Sequence, residues 1–254
     1  GTSINLPGGI GLSTRIAIGS PEASSKLGPI GTQVHTSQVR IALMATVLNV
    51  GFLYPLADAK LELPIYVEVA PGTATISDIP CNRNGTMVKI TGTTGIATAQ
   101  IGKISDSALS DFSSSPTFSD PTIMHLMALG LSVADVKASA TADIGSGGPT
   151  EASFTQADID SQNKKRISSG LGSADLMSGL ISTLDLRLEL LTTPSFLLSS
   201  ALNLVLSTLE PIVISVLNAV DGTVDSLLAT LGIQVGTLDM GVNGVSCGVP
   251  KLVG

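Results

Sequence analysis

Hydrophobic and polar residues alternate along several stretches of this chain with the period of two that is typical of half-buried β-strands. In LELPIYVEV, residues 61–69, the odd positions are hydrophobic, while the even positions carry Glu62, Pro64, Tyr66 and Glu68. Because Pro64 has no N–H to donate to a neighbouring strand, we predict this strand at a sheet edge or a bulge. In QVRIALMATVLNV and LDLRLEL, the predicted inward faces are Val39, Ile41, Leu43, Ala45 and Val47, and Leu184, Leu186, Leu188 and Leu190.

Three further stretches also predict strands. TMVKITGTTGIATAQIG indicates two short strands joined at residues 92–95. The last apolar stretch, residues 233–247, changes phase at Gly236 and Gly244, where we expect bulges. SVADVKASATADIG predicts a strand whose inward face is Val136, Ala138, Ala140, Ala142 and Ile144.

Helical patterns are concentrated in the C-terminal half. Residues 172–183, GSADLMSGLIST, predict a short helix. The longest apolar region, residues 193–232, predicts two or three helices, with Pro211 in a first turn, Asp221 as a cap and Gly232 as a stop.

Residues 196–220 within this apolar region also have the length of a membrane span. Asn203 and Glu210 lie near the middle, and a carboxylate there costs about 2.5–3.5 kcal/mol even on lenient insertion scales. We therefore favour a core hairpin of soluble helices, and lipid binding by these Leu-rich helices stays open.

Together these patterns predict an α+β fold, mainly antiparallel β-sheet with a Leu-rich helical segment in the C-terminal half. Residues 1–35, rich in Gly, Pro and Ser, are predicted to be an extended N-terminal arm. Residues 36–254 are predicted to form one domain, with a sub-domain break near 105–122 or 145–160. The first of these segments is a polar loop, and a short apolar helix or turn, IMHLMALG at 123–130, is predicted after it.

Composition narrows the classes of function. Of the 254 residues, 43% are hydrophobic and 13% are charged, which argues against a disordered chain. The formal net charge of −7 argues against nucleic-acid binding, and the one basic cluster, residues 164–166, is interpreted as a solvated loop. The first 20 residues lack the charged and apolar regions of a signal peptide, and we allow for a leader or membrane anchor removed upstream of residue 1.

Candidate catalytic and metal-binding side chains are few. His35 and His125 have no partner at ligand spacing, and Ser146 lies in IGSGGP rather than in a G-x-S-x-G nucleophile elbow. The sequence MHLM at 124–127 suggests copper only loosely, and a core Met/Leu cluster is the preferred interpretation.

Acidic motifs are similarly incomplete. DIDSQN at 158–163 is similar to the start of a calcium loop, but it lacks the glycine at the sixth position and the acid at the twelfth. Asp106, Asp111 and Asp120 lie in a Ser-rich loop without the strand or helix context of a catalytic dyad. We therefore predict no catalytic, cofactor or metal site, and a protein that is not an enzyme.

The chain contains two cysteines, Cys81 and Cys247, which are either free core residues or a disulfide pair. Each follows or ends a predicted strand, where side chains can meet, and this favours the disulfide. Such a bond would stabilise the fold by about 5 kcal/mol in the chain-entropy model. It would also place the protein in an oxidising compartment: the periplasm, the cell surface or outside the cell.

Several of these segments resemble the extracytoplasmic region of TadG-like proteins of Flp pilus (tight adherence) systems. The similar segments are SQVRIALMATVLNVG, LELPIYVEVAPGTATISDIPCN and GIATAQIG. The ending LGIQVGTLDMGVNGVSCGVPKLVG is similar to the C-terminus of that family, where a Cys-Gly-x-Pro-x-Leu-Val segment closes the chain. The resemblance implies a non-enzymatic envelope protein of pilus assembly or adhesion, with Cys81 and Cys247 as a pair.

We therefore expect an extracytoplasmic accessory or structural protein of an adhesive pilus system, acting through contacts with other pilus or envelope proteins. The alternative is a self-assembling extracellular filament or biofilm-matrix subunit, in which the N-terminal arm pairs with the sheet edge of a neighbour. Low charge and many Gly, Ser and Thr residues suit a polymer whose faces are buried by its neighbours.

Overall fold

The computed structural model describes residues 2–6, 9–19, 26–48, 60–82, 85–128, 131–145, 147–191 and 196–247. Within them lie fifteen β-strands, all paired antiparallel, and four α-helices, so the predicted α+β class is confirmed. The elements are β1 (Thr2–Leu6), β2 (Ile10–Ile18), β3 (Gln33–His35), β4 (Val39–Leu48), β5 (Lys60–Val69), β6 (Thr73–Asp78), β7 (Thr86–Thr93), β8 (Ala97–Ile101), α1 (Asp106–Ser110), β9 (Thr122–Ala128), β10 (Leu131–Ser139), β11 (Thr141–Ile144), β12 (Thr150–Thr155), α2 (Gln156–Asp160), β13 (Lys165–Ser168), α3 (Ser173–Ser182), β14 (Asp185–Leu190), α4 (Phe196–Thr230) and β15 (Thr237–Met240).

One bent strand connects the two sheets that enclose the main core. The larger sheet has six strands in the order β1-β2-β4-β5-β8-β11, and the smaller has three in the order β14-β10-β9. β10 and β11 are consecutive lengths of chain that pass from one sheet to the other at Ala140, whose carbonyl accepts a hydrogen bond from the N–H of Ile101 (3.0 Å). The strand predicted from alternation over residues 136–144 is therefore present, but its first part, in β10, belongs to the three-stranded sheet and its second part, β11, belongs to the six-stranded sheet.

The main hydrophobic core lies between these sheets and helices α3 and α4. The predicted inward faces of β4 and β5 are buried in it, with Ile41, Leu63 and Val67 fully enclosed. α4 adds an apolar stripe at helical spacing. The stripe consists of Val205, Leu209, Val213, Val216, Leu217, Val220, Val224 and Leu228.

A second, smaller core lies where a four-stranded sheet, in the order β12-β7-β6-β3, packs on the pair β13–β15. Phe154 of β12 is fully buried there beside Val88, Ile167 and Leu238. The two strands predicted around residues 92–95 are both present as β7 and β8, but β7 belongs to the small core and β8 to the large one.

The N-terminal residues form part of the sheet instead of an extended arm. β1 pairs with β2, and β2 pairs with β4 along its full length. Ile10 and Leu12 of β2 are buried in the main core. The high Gly, Pro and Ser content suggested an arm, but the alternation of apolar residues in β2 buries one face and decides its structure.

Pro64 lies in a central strand, so the prediction of an edge or bulge is wrong. β5 runs between β4 and β8 with a regular register on both sides. The carbonyl of Pro64 accepts from the N–H of Gly102 (3.1 Å), one residue beyond the end of β8. Pro64 and Gly102 thus lie opposite each other at the end of the β5–β8 ladder, and the one hydrogen bond that the proline cannot make is the reciprocal bond to the Gly102 carbonyl.

Two helix predictions need correction. The segment IMHLMALG contains strand β9, in which Met124 and Leu126 are buried and His125 is exposed. The region at 193–232, predicted as two or three helices, contains one 35-residue helix, and Pro211 and Asp221 lie inside it. The buried stripe of α4 continues on both sides of Pro211, which is itself exposed, so packing holds the helix together across the proline.

The predicted ends of two C-terminal elements agree with the structure. α3 covers the predicted short helix at 172–183. α4 stops at Gly232 (φ +72°), where the N–H of Ile233 donates to the carbonyl of Leu228 (2.8 Å), the bond of a Schellman ending. Of the strand predicted over 233–247, only β15 is formed, and it begins directly after Gly236 (φ +69°).

Candidate functional site

Cys81 and Cys247 lie at disulfide distance in the structure, with their Cα atoms 5.9 Å apart although the residues are 166 positions apart in the sequence. Cys81 follows β6 and adopts a left-handed backbone conformation (φ 53°), and its N–H donates to the carbonyl of Met87 in β7 (3.3 Å). Val242 and Val245, just before Cys247, pack against the small core. The cysteine pair therefore joins the C-terminal segment to the β6–β7 end of that core.

A second constellation, which sequence analysis missed, is built around Arg40 on the outer face of the six-stranded sheet. We call residues 105–118, which cross this face, the strap. The guanidinium of Arg40 is only 2% exposed and donates to three strap carbonyls: Ala108 (3.1 Å), Asp111 (2.6 Å) and Ser114 (2.9 Å). Its carbon also lies 4.8 Å from the ring centroid of Phe112. Arg40 thereby fastens the strap to the sheet.

Glu68 is the carboxylate beside Arg40. Its Oε1 lies 3.3 Å from Nε of Arg40 and accepts a hydrogen bond from the side-chain amide of Gln38. Its Oε2 accepts from the hydroxyl of Tyr66 (2.5 Å). Burial, and then the hydrogen bond to Glu68, raise the pKa of Tyr66 well above its usual range, so this hydroxyl stays protonated.

A groove of about 470 Å³ lies beside this cluster, where the strap leaves the outer face uncovered. The ring of Phe118 forms part of one wall and lies tilted against the ring of Tyr66, with centroids 4.9 Å apart, and Phe118 also packs directly over Gly102. The carboxylates that line the groove are Glu68 and Asp143. The site therefore combines an aromatic wall with polar side chains on a floor formed by the six-stranded sheet.

The two histidines do not form a common site. His35 lies in β3, which belongs to the four-stranded sheet, and is paired with Thr73. His125 lies in β9, where its Nδ1 is 2.7 Å from Oδ1 of Asp135 on β10. Met124 points into the main core, on the opposite face of β9 from His125, whereas Met127 lies on the same face as His125 and its sulfur accepts from the hydroxyl of Ser132 (3.3 Å), so the MHLM sequence is divided between the two faces of the strand.

The calcium-like segment at 158–163 and the basic cluster at 164–166 are joined by an ion pair between Asp158 and Lys165. Asp158 accepts from the N–H and the hydroxyl of Thr155 (both 2.9 Å), which caps α2, and it lies 3.0 Å from Nζ of Lys165. These hydrogen bonds, the backbone one above all, hold the pKa of Asp158 well below its usual range. Arg166 makes a two-pronged pair with Asp239 on β15 (2.7 and 2.8 Å). The predicted solvated loop at 164–166 is thus largely strand β13.

The candidate aspartates of the strap region are also engaged. Asp106 pairs with Arg15, and Asp120 lies 3.8 Å from Arg187. Asp111 accepts from the amide and the hydroxyl of Ser113, and these bonds lower its pKa. The structure does not bring these three carboxylates together, and Ser146 lies outside the described residues.

Across the described residues no group of three or more His, Cys, Asp or Glu side chains is placed to hold a metal ion. Residues 204–230 of α4 are long and apolar enough to cross a membrane, with a mean hydropathy of 1.6, although their buried stripe belongs to the main core.

No family model, no curated protein and no solved structure matches this chain. The resemblance to TadG-like proteins therefore stays a prediction.

Proposed function

We propose that this chain is a non-enzymatic extracytoplasmic protein of a bacterial Flp (tight adherence) pilus system, and that it works through contacts with other pilus or envelope proteins. The observation that carries the proposal is the cysteine pair. Cys81 lies near the end of one of the four segments that resemble TadG-like proteins, and Cys247 lies in the C-terminal one, so the pair brings two of the four segments together. Disulfides persist in the periplasm and outside the cell, which is where such a protein works.

The chemistry of the described candidate groups also favours contacts over catalysis. Asp158 accepts the capping hydrogen bond of Thr155 at the start of α2 and forms an ion pair with Lys165, and Asp106 forms an ion pair with Arg15. Glu68 is held on both oxygens by Arg40, Gln38 and Tyr66. Groups bound in this way stabilise the fold, whereas a general acid or base needs an accessible proton at a tuned pKa.

Deletion of the gene in its native bacterium tests the proposal. We expect loss of pili from sheared cell surfaces and loss of adherence, with recovery on expression of the wild-type chain. The Cys81→Ser/Cys247→Ser double variant should restore both functions less well. Leu131→Ser, an exposed substitution far from the cysteines in sequence, is the matched control and should restore them fully.

Location is tested on the same strains. The native protein should be found in the periplasmic or surface fraction, and its intact mass should rise by two hydrogens on reduction. Normal piliation and adherence in the deletion strain, or a cytosolic protein with two free thiols, would refute the proposal.

A second candidate function is a self-assembling extracellular filament or matrix subunit. The position of β1 favours it, because β1 is the outermost strand of the six-stranded sheet and an end strand is the easiest to exchange between copies. Electron microscopy of the purified protein separates the candidates: regular fibres support the filament, and a monodisperse particle supports the accessory protein.

A further inference from the structure

The last described segment of the chain, residues 242–247, is held by side-chain packing and by a covalent bond. Val242 and Val245 pack against the small core, and Cys247 is paired with Cys81. Within the described part of the chain, however, this segment forms no backbone or side-chain hydrogen bond. No hydrogen bond therefore restrains rotation of the backbone between the two packed valines.

Asn243 and Gly244 lie between these valines, and both are exposed to solvent. Among the described residues, neither the side-chain amide of Asn243 nor the backbone N–H of Gly244 has a hydrogen-bond partner. Gly244 carries no Cβ that could shield its nitrogen from the preceding side chain, and the place where a Cβ would be is open space. An accessible amide carbon and an unhindered backbone nitrogen are therefore neighbours in the chain.

We propose that Asn243 is a site of spontaneous deamidation, a covalent modification that needs only water. The nitrogen of Gly244 gives up its proton to hydroxide and attacks the side-chain carbonyl carbon of Asn243. The new C–N bond closes a succinimide ring, the bond to the side-chain nitrogen breaks, and that nitrogen takes a proton from water and leaves as ammonia. Water then opens the ring at either carbonyl and yields aspartate or isoaspartate, and no group is oxidised or reduced.

A second Asn-Gly pair in the sequence provides an internal comparison. Asn84 precedes Gly85, and the N–H of Gly85 donates to the carbonyl of Asn82 (3.0 Å). That hydrogen bond must break before the nitrogen can attack, and a typical hydrogen bond corresponds to roughly a fivefold change in rate. We therefore expect Asn243 to deamidate several-fold faster than Asn84, although the reacting dipeptide is the same.

Deamidation changes this segment in two ways. Both products add a negative charge to a chain whose net charge is already −7. Isoaspartate also carries the main chain through its side-chain carbonyl, which inserts one methylene between Val242 and Val245. Because both valines are packed and Cys247 is fixed by its pair, we expect the longer main chain to loosen the contact of this segment with the small core. The inference does not depend on the pilus proposal.

Peptide mapping by mass spectrometry tests the inference on the folded protein with its disulfide intact. Incubation in mildly alkaline buffer should raise the mass of the peptide that contains Asn243 by about one dalton, several-fold faster than that of the peptide that contains Asn84. Gly244→Ala is the matched control, because it retains Asn243 and adds only a Cβ, for which the structure has room. This variant should fold like the wild type, deamidate several-fold more slowly at Asn243 and keep the wild-type rate at Asn84.

Hydrogen exchange tests the effect on the small core. Incubated wild-type protein should exchange its amide hydrogens in β13 and β15 faster than fresh protein. Fresh Asn243→Asp, which adds the charge without the methylene, should exchange like the fresh wild type. No mass increase at Asn243, an equal or faster increase at Asn84, or a wild-type rate at Asn243 in Gly244→Ala would overturn the inference. Unchanged exchange after incubation, or fast exchange in Asn243→Asp, would overturn the effect assigned to the methylene.

Discussion

Replacement of Arg40 by methionine removes a buried charge while keeping much of the side-chain volume. The wild-type guanidinium is 2% exposed, satisfies three strap carbonyls and lies 3.3 Å from Glu68. Removing one partner of a buried pair costs about 3–5 kcal/mol. Because Glu68 retains the hydroxyl of Tyr66 and the amide of Gln38, we expect a loss near the lower limit, about 3 kcal/mol.

Chemical denaturation followed by circular dichroism measures this loss. Arg166→Met is the matched control, since it breaks an arginine–carboxylate pair with shorter contacts, 2.7 and 2.8 Å, on an exposed surface. Surface pairs contribute little, so the control should lose much less stability than Arg40→Met. Limited proteolysis should also cut the Arg40→Met variant within residues 105–118, because the strap has lost the three hydrogen bonds that Arg40 donates to its carbonyls. Equal losses in the two variants, or an uncut strap, would refute the role assigned to Arg40.

Three further predictions concern the cysteine pair and two carboxylates. The Cys81→Ser/Cys247→Ser variant should unfold at lower denaturant concentration, with a loss of at most about 5 kcal/mol in the free energy of unfolding. Hydrogen exchange should rise first in the small core, and an equal rise in both cores would contradict this. Asp221 has a buried, unpartnered Oδ1 and a pKa raised by burial and by Asp225, so Asp221→Asn should stabilise α4 by about 0.5–1 kcal/mol at neutral pH. Since the folded-state pKa lies above the unfolded one, that gain should disappear at pH values below the unfolded pKa, and a gain that persists there would contradict the reasoning. Because the pKa of Asp158 is lowered in the folded state, the stability that it contributes is present above its unfolded pKa of about 3.9 and is lost as pH falls towards the folded value. The Asp158→Asn variant should therefore unfold more easily than the wild type at neutral pH, and as easily as the wild type in strong acid.

The sequence predicts best those elements whose side chains obey one period over their whole length. β4, β5 and β14 were predicted from strict alternation, and α3 from its helical pattern. Local pattern does not determine which strands become neighbours. β7 and β8 are separated by three residues yet belong to different sheets, because the pairing partners come from distant parts of the chain.

The errors have physical causes as well. A short apolar run such as IMHLMALG has no clear period, and the pairing of β9 with β10 decides its conformation. Pro211 was predicted in the first turn of a helix because proline prefers that position. In the structure it lies inside α4, because burial of the apolar stripe on both sides outweighs this preference. Arg40 alternates with the inward-facing apolar residues of β4, and this pattern carries no signal that its side chain is buried. Its burial depends on the strap, which contacts it from 68 or more positions away.

The cysteine pair also determines how this chain responds to mechanical tension. A pull applied to the chain before Cys81 and after Cys247 is transmitted through the sulfur–sulfur bond, and the segment between them carries no load. Fully extended, those 166 positions would otherwise lengthen the molecule by about 550–600 Å. Most of the large core, including β9, β10, α3 and α4, lies inside this bypassed segment. Tension on the two ends would therefore act on the part of the fold before Cys81, which includes β2, β4 and β5, and would leave the segment between the two cysteines unextended.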